Sequence, residues 1–88
     1  MVRRSRLDMY FDVLELIDRG FHKPTRIMYR ANLSWSNLKN VLELLSHGRM
    51  IETKNVGKST RYFLTERGKE ALTFHLKSVE MLEAPIPT

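Results

Sequence analysis

The stretch S-W-S-N-L-K-N, Ser34 to Asn40, gathers side chains that can read or hold an electron-rich partner. Asn37 and Asn40 each carry an amide offering a donor beside an acceptor, the geometry that pairs bidentately with an adenine edge. Lys39 can reach a guanine acceptor or a phosphate. Ser34 and Ser36 can donate to phosphate, most effectively beside the positive end of a helix. No acid stands among them. An ordinary solvated helix face uses the same residue types, so the surroundings must decide between the two readings.

Two further basic groups bear on that decision. Lys54, Lys58 and Arg61 lie in a span from Thr53 to Thr65 that contains no acid, with Asn55, Ser59 and Thr60 between them. A solvated hairpin would use the same residues, but the lack of any acid over the span favours a wing that touches phosphate or reaches into a minor groove. Arg3, Arg4 and Arg6 near the start can act as a minor-groove arm or remain a disordered basic terminus. The net charge is +5, and it is unevenly placed. From Met1 to Arg61 there are 12 Lys/Arg against 6 Asp/Glu, and from Tyr62 onward 3 against 4. The positive field belongs to the first two thirds of the chain, and the remainder needs another role.

Eighty-eight residues support one core, which a partner can complete. Ser5 followed by Asp8 starts a helix that ends at Gly20, with Tyr10, Val13, Leu14 and Ile17 on one buried face. Pro24 suits the first turn of a second helix, in which Ile27, Met28 and Ala31 point inward. Asn32 can stop it in a left-handed conformation, Leu33 can plug the corner, and Ser34 can cap the next helix. That short connection predicts a helix-turn-helix. In the third helix Leu38, Val41, Leu42 and Leu45 form the core stripe, with Ser36, Lys39, Asn40, Glu43 and His47 opposite. Trp35 falls at the stripe's edge and is expected partly buried. Leu44 lies off it and is expected to pack on a neighbouring element. Gly48 closes this helix at C′.

R-M-I-E-T-K-N-V and T-R-Y-F-L-T then read as two strands joined by Gly57, Lys58 and Ser59, with Tyr62 and Leu64 facing the core. Thr65 caps a final helix over Glu66 to Glu83, roughly 27 Å long at ~1.5 Å per residue, and Pro85 and Pro87 prevent its continuation. The fold class predicted is mostly α with a small β-hairpin, a winged helix-turn-helix plus a long C-terminal helix. Residues 1–64 form the winged unit, 65–84 a dimerisation helix and 85–88 a tail.

The stretches K-P-T-R-I-M-Y-R-A-N-L-S-W and Y-F-L-T-E-R-G carry a resemblance to the small archaeal winged-helix DNA-binding proteins, a group of transcription regulators and chromatin proteins that dimerise through a C-terminal coiled coil. It runs from about Asp8 to Leu82. The resemblance implies this fold, double-stranded DNA as partner and a homodimer, with no target sequence. Within the last helix Leu72, His75, Val79 and Leu82 follow a 3-4-3 spacing that makes a short a/d seam. Because that seam covers barely two heptads, contacts from Met9 and Leu16 of the first helix are expected to reinforce it.

Catalysis finds little footing. With no cysteine, thiolate chemistry and Cys-based zinc sites are excluded, and His22, His47 and His75 have no spacing for a metal or an acid/base pair. Gly57-Lys58-Ser59 ends like a phosphate loop, but the G-x-x-x-x-G-K-[ST] pattern is absent. No enzyme activity, cofactor, metal, membrane partner or small-molecule ligand is expected, the last because so small a core leaves little space after packing. The basic start lacks a signal peptide's apolar stretch, so a cytoplasmic, nucleoid-associated location is expected. The function expected is sequence-specific or chromatin-type duplex binding in transcription regulation. The alternative is a winged helix serving as a protein-interaction module without direct DNA binding.

Overall fold

The computed structural model describes residues 5–83. Its elements run α1 (Arg6–Asp18), α2 (Pro24–Ala31), α3 (Trp35–His47), β1 (Ile51–Val56), β2 (Ser59–Leu64) and α4 (Glu66–Glu83). The helix starts are encoded locally. The Ser5 hydroxyl accepts from the Asp8 amide at 3.1 Å while the Asp8 carboxylate accepts from the Ser5 amide at 3.2 Å, a complete capping box. Pro24 opens α2, whose missing N–H has no role in the first turn. Asn32 ends α2 at φ 54°, the left-handed conformation its sequence position suggested, and Ser34 is the cap of α3. Three residues thus separate the two helices, Asn32, Leu33 and Ser34, and Leu33 packs half-buried against the core.

The core forms where the periodicity placed it. Val13, Leu14 and Ile17 from α1, Ile27 and Ala31 from α2, and Leu38, Val41, Leu42 and Leu45 from α3 are all buried, with Ile51 and Leu72 completing the cluster. Met9 and Leu16, expected to strengthen a dimer, are half-buried against this same cluster. Among the described residues no helix is long and apolar enough to cross a membrane.

The hairpin is antiparallel, with Ile51 opposite Leu64 and Val56 opposite Ser59. Its loop is two residues rather than three. Gly57 has φ 63° and Lys58 does not share a positive φ, the arrangement of a type II′ turn, which twists as the strands require. A pairing not anticipated from the sequence lies on the other edge of β2. The Tyr62 amide donates to the His22 carbonyl at 3.0 Å, and His22 Nδ1 lies 2.8 Å from the Tyr62 carbonyl, so the loop between α1 and α2 covers that edge. The His22 ring stacks on Phe63 at 4.2 Å, and the Lys54 ammonium sits 4.9 Å over the same Phe63 ring.

Gly48 does not take the left-handed position expected of it. It is the C-cap of α3 at φ −78°, and the positive φ falls one residue later at Arg49, φ 60°. The chain must reverse there because Met50 is held on both sides. Its amide donates to the Leu45 carbonyl at 2.9 Å, and its carbonyl accepts from the Thr65 amide and the Thr65 hydroxyl, each at 3.0 Å. Thr65 Oγ1 also accepts from the Gly68 amide at 3.0 Å, which caps α4. A Cβ built at Gly68 would overlap the Met50 carbonyl oxygen. Glycine therefore stands inside α4 because the helix passes directly over a backbone carbonyl.

Gly68→Ala should consequently lower the unfolding free energy by about 1–3 kcal/mol through overpacking against backbone, even though alanine favours a helix interior by roughly 1 kcal/mol. Urea unfolding of the two proteins measures this. An alanine variant at least as stable as the parent would mean that α4 does not approach Met50 so closely.

Candidate nucleic-acid interface

The geometry of α3 sorts its polar residues into three strips. At 100° per residue Ser36, Asn40, Glu43 and His47 point away from the buried stripe, and all are exposed. Asn37 lies to one flank, on a shelf that it shares with Asn40, Leu44 and residues Arg6, Met9 and Tyr10 of α1. Lys39 lies to the other. There it borders a cleft of about 520 Å³ between α3 and the hairpin, together with Trp35, Glu43, His47, Thr53 and Tyr62. Ser34 is engaged as the cap, its hydroxyl accepting from the Asn37 amide at 3.1 Å. That leaves its hydroxyl hydrogen available at the positive end of the helix.

Trp35 departs from expectation. It is 52% exposed and borders the cleft between α3 and the hairpin. Leu44 is also more open than expected, at 51% exposed.

On the hairpin, Lys54 and Arg61 are cross-strand partners, so their charges share one face, and Lys58 occupies the turn. Two like charges placed opposite each other disfavour the hairpin by themselves, and an anion between them removes the repulsion. Among the described residues none of Lys39, Lys54, Lys58 or Arg61 forms an ion pair. Arg61 is half-buried, and its Nε has no hydrogen-bond partner. Thr60 donates to the Asn55 side chain at 3.3 Å, which ties the two strands near the tip. Arg6 opens α1, exposed, on the shelf with Asn37 and Asn40, whereas Arg3 and Arg4 lie outside the described residues.

Sequence reasoning missed the basic face of α2. Arg26 and Arg30 lie over the Phe21 ring at 6.0 and 4.9 Å, with Tyr29 exposed beside them. The available signal was the absence of any acid between Phe21 and Leu42.

The seam expected along α4 is rotated. Leu72 is 3% exposed, taken into the chain's own core, and His75 stacks on Phe11 of α1 with ring centroids 3.7 Å apart and planes 2° from parallel. Leu72 is thereby withdrawn from the surface, while His75 stays half-buried with one ring face on Phe11. The cause is the close passage of Gly68 over Met50, which turns the Leu72 and His75 edge toward α1. Val79 is half-buried, while Leu82 is 85% exposed and Phe74 and Met81 are exposed as well. Among the described residues no group of three His, Asp or Glu could hold a metal ion.

Comparison with known proteins places this geometry. Over 69 residues, 77% of the chain, it is 36% identical to an uncharacterised protein of Methanocaldococcus jannaschii, of whose length it spans 66%. Its fold is similar to the crystal structure of Sso10a-2, a DNA-binding protein from Sulfolobus solfataricus, with TM-score 0.79, 22% identity, and 91% of this chain and 83% of that one covered. It is also similar to a MarR family transcription regulator, with TM-score 0.74, 19% identity, and 85% and 52% covered. At such identities these two likenesses are of fold alone. A family model described as winged helix-turn-helix matches residues 3–83, and with α2 and α3 locked at the Asn32 turn and the hairpin standing beside α3, the chain belongs to the winged helix-turn-helix family.

Proposed function

We propose that the chain binds double-stranded DNA through the first half of α3 and the hairpin, acting as a transcription regulator or a chromatin component, and that it does so as a homodimer. The observation that carries this reading is the acid-free polar start of α3, exposed and flanked across a cleft by a hairpin whose cations form no ion pair among the described residues. The fold likeness to a DNA-binding protein and to a transcription regulator supports it. Asn40 stands outermost and reads a base edge. Asn37 and Lys39 reach the bases or backbone on either flank, and Ser34 and Ser36 meet phosphate at the helix's positive end. Glu43, one turn along, limits the depth of entry, because a carboxylate moved against phosphate is repelled. Lys54, Lys58 and Arg61 act on the neighbouring backbone, as do Arg6 at the start of α1 and Arg3 and Arg4 before it in the sequence. Most of the affinity comes from counterion release at these cations.

The dimer follows from the exposed side of α4. Phe74, Met81 and Leu82 are large apolar groups in water on one helix. Pairing α4 with its copy about a two-fold axis covers both sets at once and holds two α3 helices at a fixed separation.

Selection of binding sites from random duplex DNA tests the function directly. An inverted repeat identifies a regulator, uniform binding a chromatin component, and absence of salt-sensitive binding refutes the reading in favour of a protein-interaction module. With a preferred site in hand, Asn40→Ala should weaken it by roughly 1–3 kcal/mol and leave nonspecific binding nearly unchanged. An equal loss on all DNA would exclude base reading by Asn40.

For the hairpin, Lys58→Ala and Arg61→Ala together should reduce the slope of log affinity against log salt by about one per phosphate contact removed. An unaltered slope would take the wing out of the interface.

For α4, Phe74→Glu with Leu82→Glu leaves the core untouched and should yield a folded monomer that binds a two-half-site duplex at least about tenfold more weakly. Analytical ultracentrifugation reporting a parent protein already monomeric at micromolar concentration would refute the dimer.

A further inference from the structure

The flank of α3 that faces the hairpin presents aromatic surface, where the outward strip presents only polar side chains. Trp35, the chain's one tryptophan, stands half in water on the first turn of α3 and lines the cleft of about 520 Å³. At 100° per residue it lies about 140° around the helix from Asn40, so it points along the cleft and not out with the strip that addresses a duplex. Tyr62 lines the facing wall, on the same side of the hairpin as its cross-strand partner Thr53. That wall is anchored from behind. The Tyr62 amide donates to the His22 carbonyl, and its own carbonyl lies 2.8 Å from His22 Nδ1. Leu42, 4% exposed, closes the cleft below.

The polar groups of the same cleft narrow what it can take. Lys39, exposed and in no ion pair among the described residues, offers a cation, while Glu43 offers a carboxylate that only accepts. A wholly apolar guest would leave both without a partner, and a simple anion would meet Glu43 as well as Lys39. A nucleotide unit matches the whole set: a flat ring system, N–H groups on the ring edge, and a negative charge a few bonds away. Each of the four bases carries an N–H on its pairing edge for Glu43 to accept. Beyond the cleft, Lys54, Lys58 and Arg61 continue the cationic surface along the hairpin, which suits a polyanion better than an isolated nucleotide. Bases inside a duplex are stacked and paired, and so cannot enter. Those of a single strand can.

We propose that this cleft takes an unpaired base of a nucleic-acid single strand, stacked on Trp35 and lodged against Tyr62, with the adjoining phosphate on Lys39. Single-strand binding is then a second activity of the chain, beyond the duplex binding proposed above and independent of it, with Lys39 and the hairpin cations common to both. The space suffices: at about 30 Å³ for each water-sized group, a base of about ten non-hydrogen atoms fills no more than roughly 300 Å³. Stacking on an indole is tolerant of sequence, because every base has a π-face, and each base so held strengthens binding by about five- to 150-fold. It also accounts for a tryptophan left half in water at this place, since a ring of that size is otherwise mostly buried.

Because Trp35 is the sole tryptophan, its fluorescence reports on this cleft alone. The probes are an oligothymidylate of about 12 nucleotides, within the usual range of single-strand sites, an oligouridylate of the same length, and an abasic strand carrying the same phosphates without bases. Thymidylate or uridylate should quench Trp35 saturably and bind at least about fivefold more tightly than the abasic strand, and the tighter of the two identifies the sugar preferred. Trp35→Ala should lose that factor on the base-bearing strand while leaving the abasic strand and duplex DNA within about twofold, and Trp35→Phe should keep most of it. The abasic comparison is made on the parent protein and decides the matter even should Trp35→Ala not fold. Equal binding of base-bearing and abasic strands overturns the proposal, as does the absence of quenching. An equal loss on single strand and duplex in Trp35→Ala also overturns it, making Trp35 a duplex contact. Quenching by a single strand in a protein that binds no duplex refutes the duplex reading and leaves this site standing.

Discussion

The carbonyl of Met50 is the point on which the rest of this structure depends. It accepts from the backbone and the hydroxyl of Thr65 and lies beneath Gly68, three residues after α3 ends and one before β1 begins. The exit of α3, the root of the hairpin and the first turn of α4 are therefore joined at a single peptide group. A part-buried carbonyl that loses its donors loses net stability unless water replaces them, so the junction resists opening. The hairpin's stance beside α3, and hence the cleft containing Lys39 and Tyr62, follow from that junction. So does the rotation of α4 that sends Leu72 into the core and leaves Phe74 in water.

Charge and aromatic rings are arranged so that cations remain available while their stems are covered. Lys54 lies over Phe63, itself stacked on His22, and Arg26 and Arg30 lie over Phe21. Contacts of this kind hold a side chain without neutralising it, unlike an ion pair, which would have to be broken before a phosphate could bind. The covering of β2 by the His22 loop serves the same end mechanically. A two-stranded hairpin alone is marginal in water, and the extra edge pairing stiffens its root while the Gly57-Lys58 tip stays free of it.

α3 is shared among three surfaces, and each constrains the others. Its buried stripe anchors it, its outward strip is available to a partner, and Leu44 and His47 border an apolar groove against α1 and α4 as well as the shelf and the cleft. A domain of this size buries too little apolar surface to be indifferent to added contacts, so a partner that covered the open side of α4 would add to its stability.

The sequence by itself determined the elements and their caps, because those signals are complete within one or two helical turns. The Ser5–Asp8 box, Pro24, the Asn32 stop, the Ser34 cap and the 3.6-residue stripes of α1 to α3 need nothing from elsewhere in the chain. The polar start of α3 and the acid-free hairpin were legible for the same reason. Only the tertiary structure decided which face of α4 is buried, since the stripe of Leu72 and His75 and that of Phe74 and Met81 both remain open until Gly68 meets Met50. It also placed the left-handed residue at Arg49 instead of Gly48, exposed Trp35 and Leu44, and drew His22 onto the edge of β2. Each of these is set by a contact between segments far apart in the chain, and such a contact leaves no periodicity at either end to reveal it.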